Sequence, residues 1–361
     1  MPQISVLVVD DSVVIRRLVT DALQAEPDIR VVGTAPNGKV ALAKIQQLAP
    51  DIVTLDIEMP EMDGLTTIKE IRKTHKKLPV IMFSTLSVAG GAATLEALSS
   101  GASDYVTKPA NVGSVLESMA SVREQLVPRI RALTGRRAPA AGATRPVVTA
   151  TPAVPPQRVD ILAVGCSTGG PEALTTVLTR MPADLPVPVV VVQHMPPVFT
   201  RLFAERLDRA SKLQVVEATD GLTLQPGHVY VAPGDHHLEV VRVGTQTRTR
   251  LHDGPPECFC RPAVDVLFRS VAAAYKGAAL GLVLTGMGQD GKRGTEVLRD
   301  GGSRVLVQDE ATSVVWGMPG AIATAGLADA VLPLDQIGSA VIERITSMRR
   351  PAEAAGARSW R

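Results

Sequence analysis

Short runs of aliphatic residues recur along this chain, and a segment with the polar and apolar periodicity of a helix follows most of them. In the first third of the chain the runs occupy residues 6–9, 31–33, 52–55, 80–83 and 104–106. After residue 158 they return at residues 161–164, 187–192, 279–284 and 304–307. The runs are continuously apolar, which is typical of parallel strands covered by helices on both faces. The sequence therefore predicts an α/β protein with two separate parallel sheets.

A segment of low complexity separates the two groups of runs. From Thr134 to Arg158, 17 of 25 residues are Ala, Pro, Thr or Gly, and none is acidic. Its five prolines cannot donate ladder hydrogen bonds, so we predict an extended tether. The length of 361 residues also favours two or three domains. We expect a first domain over residues 1–125, a helix end and tether over 126–158, a second domain over 159–350 and a frayed tail over 351–361.

Charge and cysteine content restrict the class of protein. The 38 basic and 36 acidic residues leave a net charge of +2, which gives no electrostatic indication of a nucleic-acid partner. Three cysteines form neither an even disulfide framework nor a paired zinc pattern, and this favours a reducing compartment. The sequence shows no secretory leader pattern and no apolar run of about 18 residues. We expect a cytoplasmic protein that does not insert into a membrane.

Polar residues follow three strands of the first predicted sheet. Asp10 and Asp11 follow the first strand, Asp56 the third and Lys108 the fifth, and Ser84 ends the fourth. Ligands of open parallel sheets bind at these carboxyl ends. Converging carboxylates indicate a hard cation such as Mg²⁺, and a lysine and a serine beside them could contact a phosphoryl group. Each residue alone is more often a surface charge or a helix cap, but together they favour an aspartyl-phosphate site with Asp56 as nucleophile.

The motifs around these residues resemble the two-component receiver family. They comprise residues 8–12 (VVDDS), 55–60 (LDIEMP), 62–64 (MDG), 84 (S) and 105–109 (YVTKP). The resemblance implies a flavodoxin-like fold and phosphorylation of Asp56 by a partner histidine kinase. It also implies Mg²⁺ held by Asp11, Asp56 and the Glu58 carbonyl, with Asp10 assisting. Ser84, Tyr105 and Lys108 would belong to the phosphorylation switch.

In the second domain, a strand runs into residues 165–169 (GCSTG), which match the G-x-S-x-G pattern of an exposed serine nucleophile. Alternatively, Ser167 and Thr168 merely cap the helix that follows. His194 and Asp290 each come after a further predicted strand, so the three side chains could meet at one sheet edge. A serine needs a base, a histidine can take its proton, and a carboxylate fixes the imidazole tautomer. The pattern favours acyl transfer by a Ser-His-Asp triad.

The loop that carries Asp290, residues 286–291 (GMGQDG), allows two interpretations. Its glycines at 286, 288 and 291 could leave backbone N–H groups for an oxyanion hole. The loop also matches the dinucleotide fingerprint G-x-G-x-x-G, with Asp309 as a ribose ligand. That fingerprint normally follows the first strand of its domain, and a nucleotide site would leave the serine and the histidine unused. The chain order Ser, His, Asp also argues against an ordinary α/β-hydrolase.

Two smaller expectations concern residues near this site. The Gly- and Pro-punctuated segment from residue 227 to 241 has the pattern of an antiparallel hairpin, which includes His236 and His237. Cys166 adjoins the serine, and we expect its side chain to point away from the site into the core.

Motifs across the second domain resemble the chemotaxis protein-glutamate methylesterase family, CheB. They comprise residues 165–171, 193–197, 232–235, 261–265, 284–291, 308–312 and 316–320. The resemblance implies hydrolysis of γ-glutamyl methyl esters and deamidation of glutamines on chemoreceptors, with no cofactor in the catalytic domain. It assigns Ser167 as nucleophile, His194 as general base and Asp290 as its orienting group. The Met287 N–H would be an oxyanion donor, and Thr168 would line the site.

Cys166 departs from the small Ala or Ser that the family pattern leads us to expect at this position. The alternative class is a receiver protein whose second domain only docks a partner or DNA. No helix-turn-helix pattern with a basic recognition helix is present in the sequence, and a complete triad would be superfluous in such a module. The sequence therefore favours a doubly wound, mainly parallel α/β esterase domain behind the receiver.

Overall fold

The computed structural model describes residues 3–109, 115–135 and 158–347. The chain divides into two compact units, Met1–Thr144 and Arg145–Arg361. Most of the predicted tether and all of the predicted tail at 351–361 lie outside the described residues. The exact limits of the four predicted segments stay a prediction.

Five strands alternate with five helices in the described part of the first unit. In chain order they are β1 (Ile4–Val9), α1 (Val13–Gln24), β2 (Ile29–Ala35), α2 (Gly38–Leu48), β3 (Ile52–Asp56), α3 (Gly64–Thr74), β4 (Val80–Ser84), α4 (Val88–Ser99), β5 (Asp104–Thr107) and α5 (Val115–Leu133). The strand order is β2-β1-β3-β4-β5, and every pair is parallel. This order is that of the flavodoxin-like fold, so the predicted fold of the first domain is confirmed.

The first unit shows why its sequence folds in this way. All residues of β3 and β4 are buried, as the continuous apolar runs predict for strands covered on both faces. Helices α1 to α4 each begin after a polar N-cap whose side chain accepts a backbone N–H of the first turn. These caps are Ser12, Asn37, Asp63 and Ser87. The caps fix short turns beyond the strands, and the acidic residues lie in those turns.

The second unit contains nine strands and six helices among its described residues. They are β6 (Ile161–Cys166), α6 (Gly170–Leu178), β7 (Val189–Gln193), α7 (Phe199–Ala210), β8 (Gln214–Glu217), β9 (His228–Val231), β10 (His237–Val243), β11 (Gln246–His252), α8 (Val264–Tyr275), β12 (Ala279–Val283), α9 (Lys292–Asp300), β13 (Arg304–Gln308), α10 (Met318–Thr324), β14 (Ala330–Leu332) and α11 (Leu334–Thr346).

Seven of these strands form one parallel sheet in the order β14-β13-β12-β6-β7-β9-β8. The chain enters at the central strand β6, builds one side of the sheet and then returns to add β12 on the other side. The direction of winding therefore reverses between β6 and β12, which is where open α/β sheets bind their ligands. The separate antiparallel pair β10-β11 is the predicted β appendage.

The hairpin prediction is correct for only part of its segment. Residues His228–Val231 form β9, a parallel strand between β7 and β8, and not one arm of a hairpin. The arm that pairs with β10 is β11. Strand β9 is short and bounded by glycine and proline, so its local pattern is the same as that of a hairpin strand. Only its pairing within the parallel sheet distinguishes the two arrangements.

Candidate functional site

Ser167 lies in the tight turn between β6 and α6. Its backbone N–H donates to the Thr285 carbonyl at 3.0 Å, and its own carbonyl accepts from Gly170 N at 2.7 Å. Gly169 adopts φ +75°, and a Cβ at this residue would approach the Val314 side chain to 2.5 Å. Gly169 is also the N-cap of α6. Neither Ser167 nor Thr168 therefore occupies the N-cap position that the capping alternative supposes.

His194 and Asp290 meet at the same edge of the sheet. His194 directly follows β7, and its Nε2 lies 2.8 Å from Asp290 Oδ2. Both side chains are largely withdrawn from solvent, with 13% and 3% exposed. Burial disfavours a charged imidazole, but hydrogen bonds with Asp290 and Cys260 outweigh this and raise the pKa of His194 above its ordinary value. The histidine and aspartate thus form the predicted pair.

Asp290 is held as a carboxylate by four donors. Its Oδ2 accepts from His194 and from Val264 N at 2.7 Å, and its Oδ1 accepts from Asp265 N and Gly291 N, both at 2.9 Å. Burial raises the pKa of Asp290, yet these hydrogen bonds prevail and hold it below the usual range. Since the carboxylate only accepts, His194 Nε2 carries a proton, and in the neutral imidazole Nδ1 is then the acceptor nitrogen.

The N-terminus of α8 depends on this same carboxylate. Its N-cap residue, Ala263, has no side chain that could cap the helix. Val264 and Asp265, the first two residues of the helix, donate their N–H groups to Asp290 from a different loop. Asp290 therefore supplies the cap that the local sequence of α8 lacks.

The loop of residues 286–291 packs directly against the serine. A Cβ at Gly286 would lie 2.9 Å from the Ser167 Cβ and 2.4 Å from the Met318 sulfur, so only glycine fits there. The expectation that all three loop glycines offer N–H groups is wrong: Gly286 N donates to Val315 O, and Gly291 N donates to Asp290. Among the described residues, the Met287 N–H has no protein acceptor. This is the donor that the family resemblance assigns.

Residues beside the loop of residues 286–291 argue against the dinucleotide alternative. Asp309, its predicted ribose ligand, accepts from Thr312 N at 3.0 Å and closes a turn. The adjacent Gln308 accepts from Thr285 N at 2.9 Å, and its carbonyl accepts from Trp316 Nε1 at 3.0 Å. These residues therefore hold together the loops around Ser167. Each has a structural role that needs no nucleotide.

Two cysteines lie near the site: the side chain of Cys166 points away from it, and that of Cys260 points towards His194. Cys166 is fully buried and its Sγ points to the Val192 carbonyl, away from the site as predicted. Cys260, which the sequence analysis did not place in the site, has its Sγ 3.6 Å from His194 Nδ1. In the described chain, His194 has no hydrogen bond to the Ser167 hydroxyl. The sequence offered no signal for this contact because the two residues lie 66 positions apart.

The acidic cluster of the first unit assembles as its strand ends predict. Lys108 Nζ lies 2.9 Å from Asp10 Oδ2 and 2.7 Å from Asp56 Oδ2, and both carboxylates are buried. Burial and the charge of Asp10 raise the pKa of Asp56 to about 6, although Lys108 opposes the shift. Asp11 is exposed at the rim. Lys108 thus supplies one positive charge beside the three carboxyl groups of Asp10, Asp11 and Asp56.

This cluster has the donors that a hard cation requires. Carboxylate oxygens of Asp10, Asp11 and Asp56 all lie within 4.8 Å of one another. They adjoin an open cavity of about 160 Å³ whose lining includes Glu58, Ser84 and Lys108. Oxygen donors at this spacing, with room left for water, fit Mg²⁺.

Two predicted switch residues, Ser84 and Tyr105, are buried in this structure. The Ser84 hydroxyl donates to the carbonyls of Thr85 and Gly90, each at 3.2 Å. Tyr105 is 8% exposed, and burial raises the pKa of its hydroxyl. Both side chains are therefore enclosed by protein.

None of the helices in the described residues combines the length and apolar character that crossing a bilayer requires.

Comparisons with known proteins agree with both sites. The family model of the response regulator receiver domain matches residues 6–120, and that of CheB methylesterase matches residues 162–341. A protein-glutamate methylesterase/protein-glutamine glutaminase of a Nocardioides species is 57% identical over 99% of this chain and all of its own length. One from Trichodesmium erythraeum is 50% identical over 96% of this chain and all of its own.

A solved structure is similar to the second unit. The Thermotoga maritima CheB methylesterase catalytic domain has 42% sequence identity and a TM-score of 0.51 over 51% of this chain and 98% of its own. Together, the matched domains and the identity over nearly the whole length identify the family. The chain belongs to the CheB methylesterases that carry a response regulator receiver domain.

Proposed function

We propose that the chain hydrolyses γ-methyl esters of glutamyl side chains and deamidates glutaminyl side chains of chemoreceptors, in a chemosensory response. The names of its relatives support both activities. The observation that carries the proposal is the 2.8 Å contact between His194 and Asp290 at the sheet edge where β6 presents Ser167. Ser167 is the nucleophile, His194 the general base and Asp290 the residue that orients it.

The first step of the reaction forms a tetrahedral intermediate. The Ser167 hydroxyl gives its proton to His194 Nδ1 while Oγ attacks the carbonyl carbon of the ester or amide. Asp290 keeps the Nε2 proton in place and stabilises the imidazolium that forms. The Met287 N–H donates to the developing oxyanion, and Thr168, which is 5% exposed, lines the site.

Breakdown of this intermediate forms the acyl-enzyme. As the bond from the carbonyl carbon to the leaving group breaks, His194 gives its proton to that group, so that the ester releases methanol and the amide releases ammonia. Water then attacks the acyl-enzyme with His194 again as base, which restores the Ser167 hydroxyl and leaves a glutamate carboxylate. Overall, the carbonyl carbon exchanges its bond to the leaving group for a bond to a water oxygen, and the triad returns to its starting protonation state.

Replacing the nucleophile tests this mechanism. Ser167→Ala should reduce methanol release from methylated receptor membranes by about 10⁴-fold or more, without lowering the melting temperature. Ser347→Ala, a matched loss of one hydroxyl at the end of α11, should leave the rate unchanged. Activity of Ser167→Ala within tenfold of the parent would show that another group is the nucleophile.

We further infer that phosphorylation of Asp56 by a histidine kinase controls this activity. Asp10, Asp11 and Asp56, with the Glu58 carbonyl, would hold Mg²⁺, which when bound would neutralise charge on the carboxylates and the incoming phosphoryl group. Lys108 already contacts Asp56 and would pair with a phosphoryl oxygen. The Ser84 hydroxyl would leave the Gly90 carbonyl and contact a second phosphoryl oxygen. Tyr105 would belong to the same phosphorylation switch.

A further inference from the structure

We propose that His194 and Cys260 form a site for a thiophilic divalent cation such as Zn²⁺, and that the bound ion inhibits the enzyme. The inhibitory consequence depends on the proposed function of His194, whereas the binding site does not. The proposal concerns an occasional ligand and not a cofactor of the reaction.

The separation of the two donor atoms is the first argument. Cys260 Sγ and His194 Nδ1 lie 3.6 Å apart. Zinc bonds of about 2.3 Å to sulfur and about 2.1 Å to nitrogen, at a tetrahedral angle, place the two ligands about 3.6 Å apart. The cation therefore fits between these atoms with little change in their spacing.

The orientation of the histidine is the second argument. A metal-binding histidine usually donates its other ring N–H to a carboxylate, which fixes the tautomer. Here Nε2 faces Asp290, so Nδ1 presents its lone pair towards Cys260. Ligand atoms of all three residues lie within 4.8 Å of one another. Since Asp290 already accepts four N–H groups, we assign it as the supporting carboxylate and not as a direct ligand.

The backbone around the thiol is also fixed. Cys260 and Glu257 exchange two backbone hydrogen bonds, at 2.8 and 3.1 Å, across a two-residue turn. Arg269 forms two further hydrogen bonds to the Glu257 carboxylate, which tie this turn to α8. A ligand held in this way loses little conformational freedom when it binds a metal. Water molecules would complete the coordination.

Binding replaces the Cys260 S–H bond by a bond from sulfur to the metal, and the thiol proton is released to solvent. The metal also takes the lone pair of His194 Nδ1. An imidazole in this state cannot accept the Ser167 proton, so hydrolysis stops while the ion is bound. No electron transfer is involved.

Binding can be tested in a protein that has no esterase reaction. Full-length Ser167→Ala is titrated with Co²⁺ in the presence of excess Mg²⁺, and the thiolate-to-cobalt absorption band is recorded. We expect the band in Ser167→Ala and in Ser167→Ala/Cys258→Ala, but not in Ser167→Ala/Cys260→Ala. Cys258 is the matched control because it lies in the same turn. A band that persists without Cys260, or no band at all, would overturn the site.

Inhibition is then measured in the active protein. Zn²⁺ should inhibit the parent and Cys258→Ala at similar concentrations, with each rate compared with that of the same variant without zinc. Cys260→Ala should need about tenfold more Zn²⁺ or higher, because it lacks one ligand. Equal sensitivity of all three proteins would overturn the inhibitory role. A Cys260-dependent cobalt band together with a parent protein that releases no methanol from receptor membranes would retain the site and refute the proposed function.

Discussion

Asp290 connects catalysis to stability at the scale of one residue. Its carboxylate orients His194 and also accepts the first two N–H groups of α8. In Asp290→Asn, one of the two side-chain oxygens becomes an NH₂ group that faces donors and cannot accept from them. We expect kcat to fall about 10⁴-fold, as for other triads with a misoriented histidine. We also expect a loss of about 1–3 kcal/mol in the free energy of unfolding.

Kinetics and thermal denaturation of the same samples check this double effect. Ser167→Ala is the comparison, since its loss of activity should come with an unchanged melting temperature. If Asp290→Asn also unfolded at the parent temperature, α8 would not depend on Asp290 for its cap.

Cys166 should matter for packing alone. Its side chain is fully buried, and its Sγ contacts a carbonyl on the neighbouring strand β7. We expect Cys166→Ala to lower the free energy of unfolding by about 1 kcal/mol and to keep methylesterase activity within a few-fold of the parent. Denaturant unfolding and a methanol assay measure the two quantities. A large loss of activity at unchanged stability would contradict this role.

At the scale of elements, the β12–α9 loop positions the serine through close contact. A methyl group at Gly286 would overlap the Met318 sulfur and press on the Ser167 Cβ. Displacements of about 1 Å near the reacting atoms cost on the order of 10²-fold in rate, so we expect a loss of that size in Gly286→Ala. Gly301→Ala is the control, because its added Cβ would meet nothing closer than 3.4 Å. Similar rates for both variants would refute tight packing at Gly286.

Most of the strands that the sequence predicted are buried on both faces, although the partly exposed edge strand β2 was predicted as well. A continuous apolar run identifies β6 or β12 without any tertiary information. The edge strands β8 and β14 are partly exposed and were not predicted, because their short mixed sequences carry no comparable signal. Strand β9 was assigned to the wrong partner, since pairing depends on residues far along the chain.

The sites were predictable to a similar degree. Strand ends indicated that Ser167, His194 and Asp290 share one edge of the sheet. The nitrogen of His194 that faces Asp290 and the approach of Cys260 depend on side-chain packing. No local sequence pattern predicts the orientation of the His194 ring or the position of the Cys260 thiol.

At the scale of the whole molecule, the receiver should regulate the esterase. Acetyl phosphate with Mg²⁺ should raise the rate of the full-length protein, because the phosphorylated Asp56 favours a different state of the receiver. Asp56→Asn should keep the resting rate and lose the response. Methanol release from receptor membranes with and without acetyl phosphate measures this. Equal activation of the parent and Asp56→Asn would exclude control through Asp56.

The shared use of Asp290 gives the active site a spectroscopic reporter. Backbone hydrogens of Val264 and Asp265 can exchange with solvent only after they leave the carboxylate that also holds His194. The rate of deuterium uptake at these two amides therefore reports how often the hydrogen bonds to the Asp290 carboxylate open. Protection of these two amides would measure, in the resting protein and without any substrate, how much of the population is ready to react.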